Sequence, residues 1–139
     1  MDEVVNHAYA KHGQFRGLAR VALKDLQYDA NHAFFPQNVL RLSRIFQLEG
    51  CQRLDERNYI DVLATDSQLD GLSPECLHDT PQQTWEIRPI LGVGSLKCLT
   101  GQHRIRAAQK FLDSNDQWWI ARVYSDRMSR NGQQYSKLT

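Results

Sequence analysis

Hydrophobic residues recur at helical spacing between positions 36 and 50. Val39, Leu42, Ile45, Phe46 and Glu49 recur at steps of three and four, and Leu40 and Leu48 widen the apolar stripe. Pro36 suits the first turn of a helix, where a proline costs no hydrogen bond. Gly50 suits the C-terminal end, because helices commonly terminate at a glycine that adopts a left-handed backbone conformation. The pattern predicts a helix from about Pro36 to Glu49.

The rest of the pattern is typical of short strands around one more helix. Strand-like runs lie at 18–28, 95–99 and 118–124, the segment 59–64 reads as either strand or helix, a helix is predicted over 102–112, and 66–94 is rich in proline and glycine. Apolar residues on both faces of 118–124 indicate a strand covered on both sides. The order predicts an α/β (α+β) fold, a small mixed sheet with packed helices.

The length of 139 residues suits one domain with a real core. Residues 1–17 are polar and aperiodic and are interpreted as an N-terminal arm. The predicted domain spans 18–126, and 127–139 is interpreted as a polar tail or the start of a linker. The chain is therefore expected to be part of a longer natural protein.

Composition and charge narrow the function classes. The chain is 41% hydrophobic and 24% charged, with a net charge of +1, whereas dedicated DNA-binding domains are usually far more basic. It lacks long apolar runs, and its acidic N-terminus does not resemble a signal peptide. We therefore expect an intracellular protein, nuclear or cytoplasmic, without membrane contact. Cys51, Cys76 and Cys98 are widely spaced and predicted to be reduced thiols.

The segment Cys98-Leu-Thr-Gly-Gln-His-Arg-Ile-Arg-Ala-Ala108 carries the candidate chemistry. Gly101 lies where a predicted strand passes into a helix, and a glycine there lets a ligand approach the backbone. The first amides of a helix have no intrahelical partner and favour anions. Thr100, Gln102, His103 and Arg104 would surround such an anion. The alternative is that Gly101 only caps the turn and that His103 and Arg104 are solvated.

The same residues resemble the Gly-x-x-Arg-x-x-Ala signature of the ParB/sulfiredoxin superfamily, here Gly101, Arg104 and Ala107. The resemblance extends over about residues 18–125 and favours a strand at 59–64. The combination of residues 38–51, residues 98–105 and Trp118-Trp119 is also similar to a family of large fungal proteins of unknown function with a ParB-like N-terminal part.

The resemblance implies a nucleotide site for CTP or ATP. Gly101, Gln102, His103 and Arg104 would hold the phosphates together with Mg²⁺. The sequence itself offers Arg53, Arg106 and Trp118 as accessory contacts. Gln102 stands where sulfiredoxins carry a cysteine, so sulfinic-acid reduction is not expected. ParB proteins carry Glu and Arg where this chain has Gln102 and His103, and residues 29–36 lack the arginines that ParB uses.

Three functions stay open at this point. The first is a regulatory module that binds a nucleotide, with or without slow triphosphate hydrolysis. The second is a DNA-binding or nuclease module, and the third is a degenerate scaffold that acts through protein partners. Arg41, Arg44 and Arg53 are interpreted as a solvated basic face. The carboxylates considered as general bases, each interpreted as solvated, are Asp25, Asp29, Asp55 and Asp61. The histidines show no spacing typical of a metal site.

Overall fold

The structure is a computed structural model that describes residues 14–29 and 34–125. The strands are β1 (Gln14–Ala22), β2 (Leu26–Tyr28), β3 (Ile60–Ala64), β4 (Ile90–Leu91), β5 (Leu96–Thr100) and β6 (Trp118–Ser125). The helices are α1 (Pro36–Glu49), α2 (Asp66–Leu69) and α3 (Gln102–Phe111). These elements confirm the predicted α/β (α+β) class.

All six strands form one mixed sheet in the order β2-β5-β3-β6-β1-β4. The pairs β2–β5, β3–β6 and β1–β4 are parallel, and β3–β5 and β1–β6 are antiparallel. The longest pairing joins β1 to β6 from Gln14 opposite Ser125 to Ala22 opposite Trp118. β3 and β6 therefore lie in the middle of the sheet, where both faces of a strand can be buried.

Helix α1 begins and ends where the sequence predicts. Pro36 lies at its first turn, and Val39, Leu42 and Phe46 are buried. Gly50 has a φ of +84° and its N–H donates to the Phe46 carbonyl at 2.7 Å. The apolar stripe thus determines which face of α1 packs on the sheet, and Gly50 terminates the helix.

The sheet has a hydrophobic core on each face. On one face α1 and α3 cover the strands, with Phe46, Ile105 and Trp119 among the fully buried side chains. On the other face Trp85, which lies in the segment between α2 and β4, packs in a cluster with Leu18, Tyr59, Trp118 and Ile120. Strand β6 contributes to both clusters, which confirms the prediction that it is covered on both sides.

Some predicted boundaries differ from the structure. β1 begins at Gln14, because its first residues pair with the end of β6, so residues 14–17 of the predicted arm belong to the sheet. The run 18–28 is not one strand, because a 3-10 turn at Leu23–Asp25 separates β1 from β2. The remainder of the arm and the predicted tail lie outside the described residues.

The interpretation of Asp61 as a solvated loop carboxylate is wrong. Asp61 lies in β3 and is fully buried. Its carboxylate accepts a hydrogen bond from Arg122 Nε at 2.8 Å and another from the Thr100 hydroxyl at 2.7 Å. Arg122 also donates to the Tyr59 carbonyl at 3.1 Å. The group is therefore part of a satisfied polar network that joins β3, β5 and β6.

Candidate functional site

The predicted phosphate-binding turn is a strand-to-helix junction, as the sequence indicates. Gly101 follows β5 and precedes α3, with a φ of +90° in the left-handed region. A Cβ at this position would overlap the side chain of Ile60. Glycine is therefore required here by close packing on β3 as well as by its backbone conformation.

The side chains around Gly101 point to different places. Thr100 bonds to Asp61 within the sheet, and Gln102 is buried. The His103 ring stacks on Phe34 and Phe35, with centroids 5.5 and 6.1 Å apart. Its Nε2 accepts a hydrogen bond from the Phe35 backbone N–H at 2.9 Å, which ties α3 to the start of α1. In this geometry these three side chains do not converge on a single ligand.

Arg104 instead lines a polar cleft beside the C-terminal half of α1. The cleft has a volume of about 280 Å³. Its other polar or charged lining residues are Arg41, Glu49, Gln52, Asp55, Arg57 and Asn58. Two elements packed against each other thus place Arg41 and Arg104 at one opening, although the two residues are 63 positions apart in the chain.

The arginines of the cleft differ in their partners. Arg57 Nη2 lies 2.7 Å from the Asp55 carboxylate, and this pair holds the pKa of Asp55 down at about 2. Arg41 and Arg104 form no ion pair within the described part of the chain. Burial, followed by the charge of Arg41, lowers the pKa of Arg104 from its ordinary value. The two unpaired guanidinium groups therefore repel each other, and an anion between them would remove that repulsion.

The predicted accessory residues lie outside this cleft. Arg53 donates to both carboxylate oxygens of Asp116 at 3.0 Å and lies 3.5 Å from the Trp118 ring centroid. Trp118 is buried between Arg53 and Arg20, so its ring is engaged within the fold. Arg106 lies over the rings of Tyr28 and Phe34 at 4.8 and 4.6 Å.

The sequence predicts Arg104 as a site residue but does not predict the other residues that line its cleft. The pattern places Arg41 on a solvated basic face, and no motif marks Arg57 or Asn58. The only signal for Arg41 was that it lies beside the apolar stripe of α1. Which partner helix it would face depends on the packing of α1 on α3, which periodicity does not give.

The described residues contain neither a metal-binding cluster nor a membrane-spanning helix. Among the described residues, no three His, Cys, Asp or Glu side chains are grouped so that they could hold a metal ion. In the same residues, no helix has the length and apolar character needed to cross a membrane. Cys51 and Cys98 are buried free thiols, and burial raises the pKa of Cys98 to about 12.

Comparison with known proteins assigns a family and corrects the resemblance drawn from the motif. The model of the family described as "Protein of unknown function (DUF3723) N-terminal domain" matches residues 14–136. Curated proteins and solved structures gave no match. The assignment to the ParB/sulfiredoxin superfamily is therefore wrong, since the family model that matches the chain is a different one. The chain belongs to the DUF3723 N-terminal domain family.

Proposed function

We propose that this domain binds the phosphate groups of a nucleotide in the cleft between α1 and the first turn of α3. The observation that carries the proposal is the pair Arg41 and Arg104, which line one cleft and have no carboxylate partner in the part of the chain described. Guanidinium groups bind phosphate oxygens through paired hydrogen bonds, so two of them suit a phosphate chain.

The size and lining of the cleft support a phosphate chain as the part of the ligand that enters. Its volume of about 280 Å³ lies just below the range of small-molecule sites, which begins at about 300 Å³. A nucleotide would therefore place its phosphates inside and leave its base at the opening. Of the two carboxylates in the lining, Asp55 is paired with Arg57, so Glu49 is the residue that would contact a Mg²⁺ ion carried by the phosphates.

The test is thermal unfolding of the purified chain with Mg²⁺ and ATP, CTP, GTP, UTP or tripolyphosphate. A ligand at about 100 times its Kd should stabilise the fold by about 2.7 kcal/mol, which raises Tm by several degrees. Arg104→Ala and Arg41→Ala should each remove the shift. Arg44→Ala is the matched control, because Arg44 is exposed on the same helix but does not line the cleft.

Each result has a defined meaning. A shift with one nucleotide that Arg104→Ala abolishes supports the proposal and identifies the base. A shift with tripolyphosphate alone restricts the ligand to inorganic phosphates, and no shift with any of the five contradicts the proposal. Binding to a labelled oligonucleotide that weakens steeply with salt and survives Arg104→Ala would instead favour nucleic acid.

A further inference from the structure

A second surface also lies between α1 and α3 and shares no lining residue with the cleft. It is a groove of about 330 Å³ lined by Phe34, Pro36, Val39 and Leu40 on one side and Arg106, Gln109 and Lys110 on the other. We call it the α1–α3 groove. None of its lining residues belongs to the Arg41–Arg104 cleft, so its properties can be tested independently.

The floor of the groove exposes apolar side chains that the core does not use. Leu40 is 58% exposed and Phe34 42% exposed, whereas Val39, in the same lining, is buried. Phe35 and Phe111, beside the groove, are also exposed. Single exposed apolar residues are common on protein surfaces, but a contiguous group around a concave site marks a contact surface.

The rim of the groove carries charge of one sign. Arg106 and Lys110 lie one turn apart on α3, and the lining contains no carboxylate. Neither cation takes part in an ion pair with another described residue. Arg106 Nε is buried and has no hydrogen-bond partner there. A ligand that brings carboxylates to this rim would satisfy charges that the described fold leaves unpaired.

We propose that the α1–α3 groove binds an acidic, apolar segment of a protein partner. A bulky aliphatic or aromatic side chain of the segment would insert beside Leu40, and carboxylates one turn away would contact Arg106 and Lys110. This is the helix-in-groove mode, in which apolar anchors give affinity and charged flanks give orientation.

The chemistry of the floor favours a peptide over nucleic acid. Leu40, Val39 and Pro36 are aliphatic and offer no ring face on which a base could stack. The aromatic ring of Phe34 is already stacked on His103, with the Arg106 guanidinium 4.6 Å from its centroid. An apolar floor with a cationic rim is complementary to a peptide that combines apolar and acidic side chains.

The experiment is selection of a random peptide library, displayed on phage, on the immobilised chain. We expect enriched peptides to pair a bulky apolar residue with Asp or Glu, and synthetic copies to bind measurably by fluorescence anisotropy. Leu40→Ser and Lys110→Glu should each weaken that binding at least about tenfold. Leu48→Ser and Arg44→Glu are matched controls on exposed positions of α1 outside the groove, and should change it less than about twofold.

Charge reversal makes the test specific. Peptides whose acidic residues are replaced by lysine should lose binding to the wild type and regain part of it on Lys110→Glu. No enrichment, enriched peptides without acidic residues, or binding unaffected by Leu40→Ser would overturn the proposal. The proposal would also be overturned, in favour of a polyanion site, if single-stranded DNA competed with the peptides and its binding were unchanged by Leu40→Ser. All variants alter exposed side chains, and their fold is checked by circular dichroism.

Discussion

The strands of the sheet and the helices that cover one of its faces differ in how their charged side chains are paired. On the face away from the helices, Asp61 and Arg122 form a buried pair whose remaining groups are bonded to Thr100 and to backbone carbonyls. The helix layer, α1 and α3, carries five Lys and Arg side chains and one Glu in its sequence. None of those five cations appears among the ion pairs of the described residues.

This contrast separates charges that hold the fold from charges available to a ligand. A buried charge is tolerated only when its partners satisfy it, so the Asp61 network belongs to the structure. Unpaired cations on a helix layer contribute little to folding and are free to meet an anion. The net charge of +1 does not show this difference, because it is the sum of a basic helix layer and a more acidic remainder of the chain.

The largest expected effect is the loss of the buried pair. Asp61→Ala should lower the free energy of unfolding by about 3–5 kcal/mol, because it leaves Arg122 desolvated without its counter-ion. Urea unfolding measures the change, with Asp61→Asn as the milder variant that keeps the shape and the Thr100 hydrogen bond. A loss below about 1 kcal/mol for Asp61→Ala would mean that the pair does not hold the strands together.

The second effect concerns the junction where the helix layer leaves the sheet. Gly101→Ala should cost about 2–4 kcal/mol, because it adds a left-handed alanine and an overlap with Ile60. Gly94→Ala is the matched control, since Gly94 has nearly the same φ, +91°, but nothing within 4 Å of an added Cβ. The control should lose only about 1–2 kcal/mol. Equal losses in both variants would remove the packing role assigned to Gly101.

The sequence pattern predicts most of the helices and strands, whereas the residues of the candidate site come together only through the packing of these elements on one another. The stripe of α1, its Pro36 start and its Gly50 end are local properties, and the helix bounds follow from them. Gly101 was also found locally, by its place between strand and helix. The pairing of Asp61 with Arg122 was not, because the two residues are 61 positions apart and meet only when β3 lies beside β6. Arg41 and Arg104 meet for a similar non-local reason.

The motif itself shows the limit of resemblance. Gly101, Gln102, His103 and Arg104 looked like one phosphate-binding group, yet His103 bonds to the Phe35 backbone and Arg104 lines a separate cleft. A short pattern fixes the backbone turn but leaves each side chain to its own neighbours. The family of the chain is therefore better identified by a match over most of its length than by this turn.

An effect of intermediate size is expected at alkaline pH, where the ionisation of Tyr28 should lower the free energy of unfolding. Burial, and then the neighbouring Cys98, raise the pKa of Tyr28 from 10.0 to about 12. The unfolded chain releases this proton first, so the contribution is complete below pH 10 and is lost as pH rises from 10 to about 12. The free energy of unfolding, measured by urea at pH 9 and 11, should fall less for Tyr28→Phe than for the wild type.

Tyr28→Phe removes the ionisable hydroxyl and leaves the rest of the side chain in place. It is buried without a hydrogen-bond partner among the described residues, so its removal should not break a contact at neutral pH. The ring stays to pack against Arg106. An identical drop between pH 9 and 11 in both proteins would show that Tyr28 ionises normally. Cys98 and Tyr124, whose pKa values are also raised to about 12, remain in both and set the common background.

The smallest expected effect is the most direct test of the contrast between paired and unpaired charges. Arg104→Met keeps the aliphatic part of the side chain and removes a half-buried charge repelled by Arg41, so stability should stay within about 0.5 kcal/mol or rise. Arg53→Met makes the same chemical change at a paired arginine, bonded to Asp116 and stacked on Trp118, and should lose about 1–3 kcal/mol. Urea unfolding of the two variants side by side decides the matter. If Arg104→Met were as destabilising as Arg53→Met, Arg104 would be a structural residue, and the cleft would lose the unpaired charge on which its proposed ligand depends.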